Sequence, residues 1–319
     1  MALLAGIDEA GYGPILGPLV VSAVTFRVRD GQLQTCLWKT LRESCAPRSK
    51  PGDRRLPVAD SKKLFNPRHG MARLERTALV MLAVAGKRPK TWRSLLDQLS
   101  PDGDSLPDCP WYNGPDVVLP LSDAVGDVCT RANAVRIDCA ARGVALVGVQ
   151  SEPVLEDRFN RLVASTRSKG VVLLGIVMRM IYRILKTNPD DRVRICVDRL
   201  GGRSHYRESL SLALPGCELQ ILEESDRRST YRLTHGRRVC RVEFVTNGET
   251  HHFPIALASI FSKYVRELYM HAFNRYWRER KRDLKPTAGY YTDALRWLED
   301  VAPTLDSLGV DRASLVRQR

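Results

Sequence analysis

The chain opens on two apolar, β-branched runs, residues 3–8 (LLAGID) and 18–28 (PLVVSAVTFRV), separated by the glycine- and proline-rich stretch AGYGPILG. This pattern predicts two antiparallel strands with a structured connection. Residues 71–85 place apolar positions at helical spacing and predict a helix. From 86 to 115 the periodicity breaks down: five prolines fall there, with Trp92, Trp111 and Tyr112 among polar residues. We read 86–140 as an insertion outside the main sheet. Its aromatics and the cations Lys87, Arg88, Lys90 and Arg93 suit either a nucleic-acid contact or a small satellite core. Residues 128–141 are ambiguous and compatible with a helix.

Residues 143–150 (GVALVGVQ) predict a strand, and 154–186 predict one or two helices, the second strongly apolar. Asp190 and Asp191 interrupt this run before VRICVD (193–198), a buried strand that ends in an acid. Another strand is predicted at 217–224. A hairpin is expected at about 232–252, with Asn247-Gly248 as its turn. Pro254 opens a long predicted helix to about Lys281, a last helix covers about 292–300, and the basic end of the chain is expected to be loose. Strands and helices in this mixed order predict an α/β fold, a mixed sheet flanked by helices.

Composition adds a direction. In 319 residues, 50 Lys and Arg stand against 36 Asp and Glu, a net charge of +14, which favours a polyanionic partner. None of the eight cysteines forms a C-x-x-C pair, so a zinc site has no local support, and reduced thiols are expected. The start of the chain lacks a basic leader pattern, and no run of 18 apolar residues occurs; we expect no membrane association and a cytoplasmic location.

Candidate chemistry sits in four places. Asp8 and Glu9 adjoin Gly11, Gly13 and Pro14. Neighbouring residues on a strand point to opposite faces, so both acids can serve one site only where the strand ends and the chain bends. There they offer hard oxygen ligands for Mg²⁺, although an acidic surface turn would look the same. Asp60-Ser61-Lys62-Lys63-Leu64 places two cations in a loop before a helix, suited to phosphates or to a solvated cap. Asp198 ends its strand, where α/β folds expose catalytic side chains. Ser259, Lys263 and Glu267 fall at i, i+4 and i+8 on the long helix and share a face, which a solvated stripe would also do.

Together these blocks resemble the ribonuclease HII family. Its D-E-A-G-R-G-P is similar to Asp8–Pro14, its D-S-K-K-L matches Asp60 to Leu64, and its strand-ending Asp matches Asp198. Its helical A-S-I-x-A-K-x-x-R-D matches Ala258 to Glu267, with Ser262 for Ala and Glu267 for the last Asp. Its G-Y-x-T matches Gly289-Tyr290-Tyr291-Thr292. Tyr12 stands where the family has Arg, and Arg199 follows Asp198 where Gly is usual.

The resemblance implies a ribonuclease H-like catalytic domain over 1–275, carrying the insertion and the hairpin, and a C-terminal helical extension over 276–319. It implies that Asp8, Glu9, Asp198 and Glu267 bind two divalent ions, Mg²⁺ or Mn²⁺, about 3.5–4 Å apart. The implied substrate is an RNA–DNA hybrid or a ribonucleotide-containing duplex, cut to 5′-phosphate and 3′-hydroxyl ends. Gly11, Tyr12 and Gly13 would face the ribose 2′-OH, Tyr290 would stack on the neighbouring sugar, and Lys62, Lys63 and Lys263 would meet phosphates or steady the carboxylates. Two rival readings remain: a nuclease of the same superfold that cuts DNA, favoured by Tyr12, and a non-catalytic nucleic-acid-binding protein.

Overall fold

The computed structural model describes residues 1–48, 50, 52–65, 70–100, 109–188 and 192–318. Among these, seven strands form one mixed sheet. They are β1 (Ala2–Ala10), β2 (Leu19–Val28), β3 (Ala145–Val154), β4 (Arg192–Asp198), β5 (Glu218–Glu224), β6 (Arg228–His235) and β7 (Arg238–Val245), in the order β3-β2-β1-β4-β7-β6-β5. β1 pairs antiparallel with β2 and parallel with β4, and β4 runs parallel to β7. The expected mixed sheet flanked by helices is therefore present. Asp190 and Asp191 lie outside the described residues.

Alternation along the central strands builds a core on each side of the sheet. Leu4, Val20, Val24 and Phe26 face one cluster, and Leu3, Ala5, Ile7 and Val21 face the other. The second cluster is closed by the helices α4 (Glu156–Thr166) and α5 (Lys169–Lys186). Across the first runs the long helix α6 (Phe253–Arg280). Its start lies directly on β1: a Cβ at Gly6 would stand 2.1 Å from the carbonyl carbon of Pro254 and 2.3 Å from the nitrogen of Ile255. Only glycine allows that approach, and it brings the helix face bearing Ser259 and Lys263 onto the end of β1.

The segment 86–140 adds no strand to the seven-stranded sheet among its described residues. It contributes the helices α2 (Trp92–Leu99) and α3 (Val128–Arg142), next to α1 (Ala72–Val84). Trp92, Trp111 and Tyr112 are buried. Trp92 and Tyr112 each meet the Tyr269 ring of α6 edge-on at 5.0 Å, and Trp111 lies 6.1 Å from Trp277. These aromatics join the main core and leave no exposed stacking surface. Residue 275 lies inside α6, and Phe273, Trp277 and Trp297 pack together, so the helix α7 (Tyr291–Leu308) shares that core.

Two expectations are corrected. Asn247-Gly248 does not close a hairpin. β6 and β7 are joined instead through Gly236, which takes φ 58°, and strand β6 was not foreseen at full length. Asn247 takes φ 52° and leads into a single helical turn, Gly248–His251, because a left-handed residue redirects a chain equally well into a helix start. The end of the chain is not loose either. Arg317 is 2% exposed; its amide donates to the Ile15 carbonyl at 2.8 Å, and its guanidinium donates to the carbonyls of Gly11 and Pro14.

Candidate active site

The ends of β1 and β4, the Gly11–Pro14 loop, the helical turn at 248–251 and one face of α6 surround a cleft of about 260 Å³. Asp8, Glu9, Asp198 and Glu249 line it, together with Gly11, Tyr12, Gly13, Lys62, Ser259, Lys263, Arg266 and Tyr290. Asp8 and Asp198 arrive there because β1 and β4 run parallel and end side by side. Glu9 joins them because Gly11 turns the chain at φ 89°. A Cβ at Gly11 would lie 2.4 Å from the Pro18 carbonyl oxygen and 2.7 Å from Arg266 Nε, so glycine is required. At Gly13 nothing lies within 4 Å, and no such steric need exists.

Hydrogen bonds hold the acids without neutralising them. Asp8 accepts from the Glu9 amide at 2.8 Å, and Ser259, which shares the cleft and opposes the rise of the Asp8 carboxyl, lies 3.0 Å from Ser61 Oγ. Ser262, the departure from the family's Ala, donates to the Asp8 carbonyl at 2.9 Å and ties β1 to α6. Asp198 accepts from the Gly248 amide at 2.7 Å. Burial, then the charges of Glu9 and Asp198, push the Asp8 carboxyl well above its usual range. Burial and the nearby Glu249 push Asp198 up to about 7. Glu9 is raised by burial, with Lys62 opposing, and its Oε2 is buried without a hydrogen-bond partner among the described residues. Four carboxylates thus share one cleft, with Lys62, Lys263 and Arg266 among its lining cations.

Glu267 is not among the residues that line the cleft. Its Oε1 sits 2.6 Å from Lys263 Nζ and 3.5 Å from Arg266, about one helical turn beyond Lys263 and two beyond Ser259. The sequence reading missed Glu249; its signal was an acid just before the helix-opening Pro254, hidden by reading Asn247-Gly248 as a hairpin turn. Lys62 faces the cleft and Lys63 is exposed beside it without lining it. Lys263 lies 4.6 Å over the Phe65 ring. Tyr12 is half-buried with Lys169 Nζ 4.9 Å above its ring, and Tyr290 is half-exposed at the rim with Arg266 at 6.0 Å.

A different trio, Cys196, Glu243 and His252, brings three donor atoms within 4.8 Å of one another. It does not suit a cation. Arg194 bonds both Glu243 oxygens, at 2.8 and 3.0 Å, and Arg241 lies 2.6 Å from one of them. Two guanidiniums already occupy the place where the ion's charge would have to sit.

No protein-family model and no curated protein matches the chain. Among solved structures, it is similar to ribonuclease HII of Archaeoglobus fulgidus in a complex with PCNA, with 18% identity, a TM-score of 0.49, and coverage of 99% of this chain and 94% of that one. It is also similar to Bst ribonuclease HIII in complex with Mn²⁺, at 16% identity and a TM-score of 0.48, covering 99% of this chain and 66% of that one. The ribonuclease H2 of Pyrococcus horikoshii OT3 is similar at 14% identity and a TM-score of 0.47, with coverage of 99% and 92%. At these values the likenesses transfer no residue role to this chain.

Proposed function

We propose that this chain is a divalent-metal-dependent endonuclease of ribonuclease HII type, which cuts RNA joined to or paired with DNA. The observation that carries this reading is the convergence of Asp8, Glu9, Asp198 and Glu249 in one cleft beside a glycine loop. The raised carboxyls of Asp8, Glu9 and Asp198 and the orphaned Glu9 Oε2 fit a site built for Mg²⁺ or Mn²⁺, with these three acids and Glu249 as the groups that would hold it. When bound, such ions supply the positive charge that phosphodiester displacement requires. In this assignment Glu249 takes the place first given to Glu267.

The remaining side chains bind and orient. Lys62 and Lys263 carry charge for the phosphates, and Glu267 fixes the Lys263 ammonium by their 2.6 Å ion pair. The Gly11–Gly13 loop faces the cleft, where its backbone and Tyr12 would meet the ribose 2′-OH, the group that separates RNA from DNA. Lys169 above Tyr12 returns to this loop a cation that the family motif draws from Arg. Tyr290, at the rim, offers a ring for a neighbouring sugar. The decisive assay uses one duplex with a single embedded ribonucleotide and an all-DNA control, with Mg²⁺ and with chelator. Cleavage of the first alone, leaving 5′-phosphate and 3′-hydroxyl ends, supports the reading. Cleavage of both would move the assignment to a DNA nuclease, and cleavage of neither, with duplex binding retained, to a binding protein.

A further inference from the structure

A second concave surface lies away from the carboxylates, at the far end of α6. It is a groove of about 730 Å³ lined by His271, Asn274, Arg275, Arg278, Glu279, Arg282 and Pro286. His271, Arg275, Arg278 and Arg282 follow at i, i+4, i+7 and i+11, a spacing that keeps them on one side of the helix and its exit. The polar groups there differ in availability. Asn274 is spent on the Met270 and Thr287 carbonyls and the Thr287 amide, and Arg275 donates to the Pro115 carbonyl. Arg278 and Arg282 have no ion-pair partner among the described residues, whereas Glu279 has Arg280 at 4.0 Å.

Cations at a helix C-terminus offset its dipole, which would be reason enough for one arginine here. Arg280 already fills that role: it donates to the Tyr276 carbonyl at 2.9 Å and stacks 3.4 Å from the Tyr276 ring. Arg282 lies past the end of the helix, so its charge needs another account. The groove and the cleft are also close along the chain. Pro286 walls the groove and Tyr290 the cleft, and four residues of chain span at most about 14 Å. Along α6, Lys263 and Arg278 are separated by about 22 Å at the helical rise, which corresponds to about seven base pairs of duplex.

We infer that this groove binds the phosphate backbone of a duplex arm whose reacting segment lies in the cleft, with Arg278 and Arg282 as the contacting cations. This rests on the nucleic-acid reading of the cleft, and it can be tested without cleavage. The probe is a fluorescent, all-DNA duplex of about 30 base pairs, titrated by anisotropy in chelator over a range of salt. The double variant Arg278→Gln/Arg282→Gln is expected to bind about tenfold more weakly at about 0.1 M salt, and its log–log salt slope should fall by about two, one phosphate for each lost charge. With one ribonucleotide embedded in the duplex to fix its register, still in chelator, shortening the arm on one side of it below about seven base pairs should weaken the parent and leave the double variant unchanged. Equal affinity and slope in parent and variant would overturn the proposal, as would an arm-length effect that persists in the variant. Should the double variant lose its fold by circular dichroism, Arg282→Gln alone, beyond the helix, carries the test with a slope change of about one. A parent that binds the duplex with the expected salt response but cleaves nothing would remove the nuclease reading and leave the groove standing. A parent that binds no duplex removes the groove.

Discussion

Acids withdrawn from solvent sit in two places on neighbouring strands, and they are treated in opposite ways. Glu243 on β7 is wholly buried, yet Arg194 on β4 grips it with two hydrogen bonds and Arg241 adds a further ion pair; these arginines outweigh burial and hold its carboxyl below the usual range. Asp8 and Asp198, at the ends of β1 and β4, face Glu9 and Glu249, and their carboxyls are pushed up. A buried acid supplied with its counter-charge by the chain works for the fold. A set of acids that repel one another across a cleft is the arrangement a ligand site would have.

The comparison is broken most sharply by removing charge from each group. Asp8→Asn and Glu249→Gln are expected to lower turnover at least about a hundredfold, a barrier increase of about 2.7 kcal/mol, with folding intact. In chelator, Asp198→Asn should raise the melting temperature. Its carboxyl sits near 7 in the folded chain, above its unfolded value of 3.8, so its contribution to stability is full below pH 3.8 and lost as the pH rises through 7. The Asn variant should therefore gain on the order of 2–4 °C over the parent at pH 8 and little at pH 4. Full turnover in Glu249→Gln would strip that residue of its assigned role, and an equal melting gain at both pH values would show that charge is not the cause.

Glu243→Gln should do the reverse, because it leaves Arg194 buried without its counter-ion. A stability loss of about 3–5 kcal/mol is expected, with turnover per folded molecule little changed. The Glu243 carboxyl is lowered on folding, so its contribution is present above the unfolded value of 4.5 and lost as the pH falls through its folded one. Denaturant melts of parent and variant at pH 7 and pH 3 should converge at the lower pH; parallel curves would refute the ion-pair account.

A smaller effect is expected at Arg317, which binds the carbonyls of Gly11 and Pro14 and lies 4.7 Å over the Phe159 ring. Burial, with Arg266 close by, lowers its guanidinium to about 10, and Glu156 partly compensates. Glu156 also accepts from the Gly17 amide and the Tyr112 hydroxyl, so residue 317, the glycine loop and the segment after residue 86 meet at one buried acid. Arg317→Met keeps much of the packing and frees the loop. It should raise KM about fivefold and relax the preference for ribonucleotide over deoxyribonucleotide, with less change in kcat. A loss of stability with the preference intact would limit Arg317 to the fold.

These residues also show what a sequence can and cannot disclose. Asp8 and Asp198 were legible because each ends an apolar strand, where local pattern and site position coincide. Lys62 and Ser259 were legible through their blocks. Glu249 was not, because the turn that places it depends on whether Asn247, at φ 52°, leads into a strand or a helix, and this is settled by the packing of Gly248 against Ile255 and Asp198. Arg317 was hidden because its partners are backbone carbonyls some three hundred residues away in sequence. Trp92, Trp111 and Tyr112 were visible as aromatics, but only the course of α6 decides that they are core.

The smallest expected effect belongs to Glu267, and it tests whether helical spacing alone can assign a ligand. Glu267 shares its face with Ser259 and Lys263, yet it lies outside the cleft lining and is paired with Lys263 at 2.6 Å and Arg266 at 3.5 Å. A metal ligand converted to an amide should lose activity by orders of magnitude and recover in part as the ion concentration is raised. A residue that only fixes Lys263 should lose little, because the ammonium keeps its charge and its position over Phe65. Glu267→Gln is therefore expected to lower kcat/KM about threefold, about 0.65 kcal/mol, through KM and not through kcat. Metal titration should give the same midpoint as the parent, since the affected group is a cation that meets phosphate. Measured beside Glu249→Gln, this separates the two acids. A shifted metal midpoint in Glu267→Gln, with none in Glu249→Gln, would return Glu267 to the ligand set and make Glu249 the bystander.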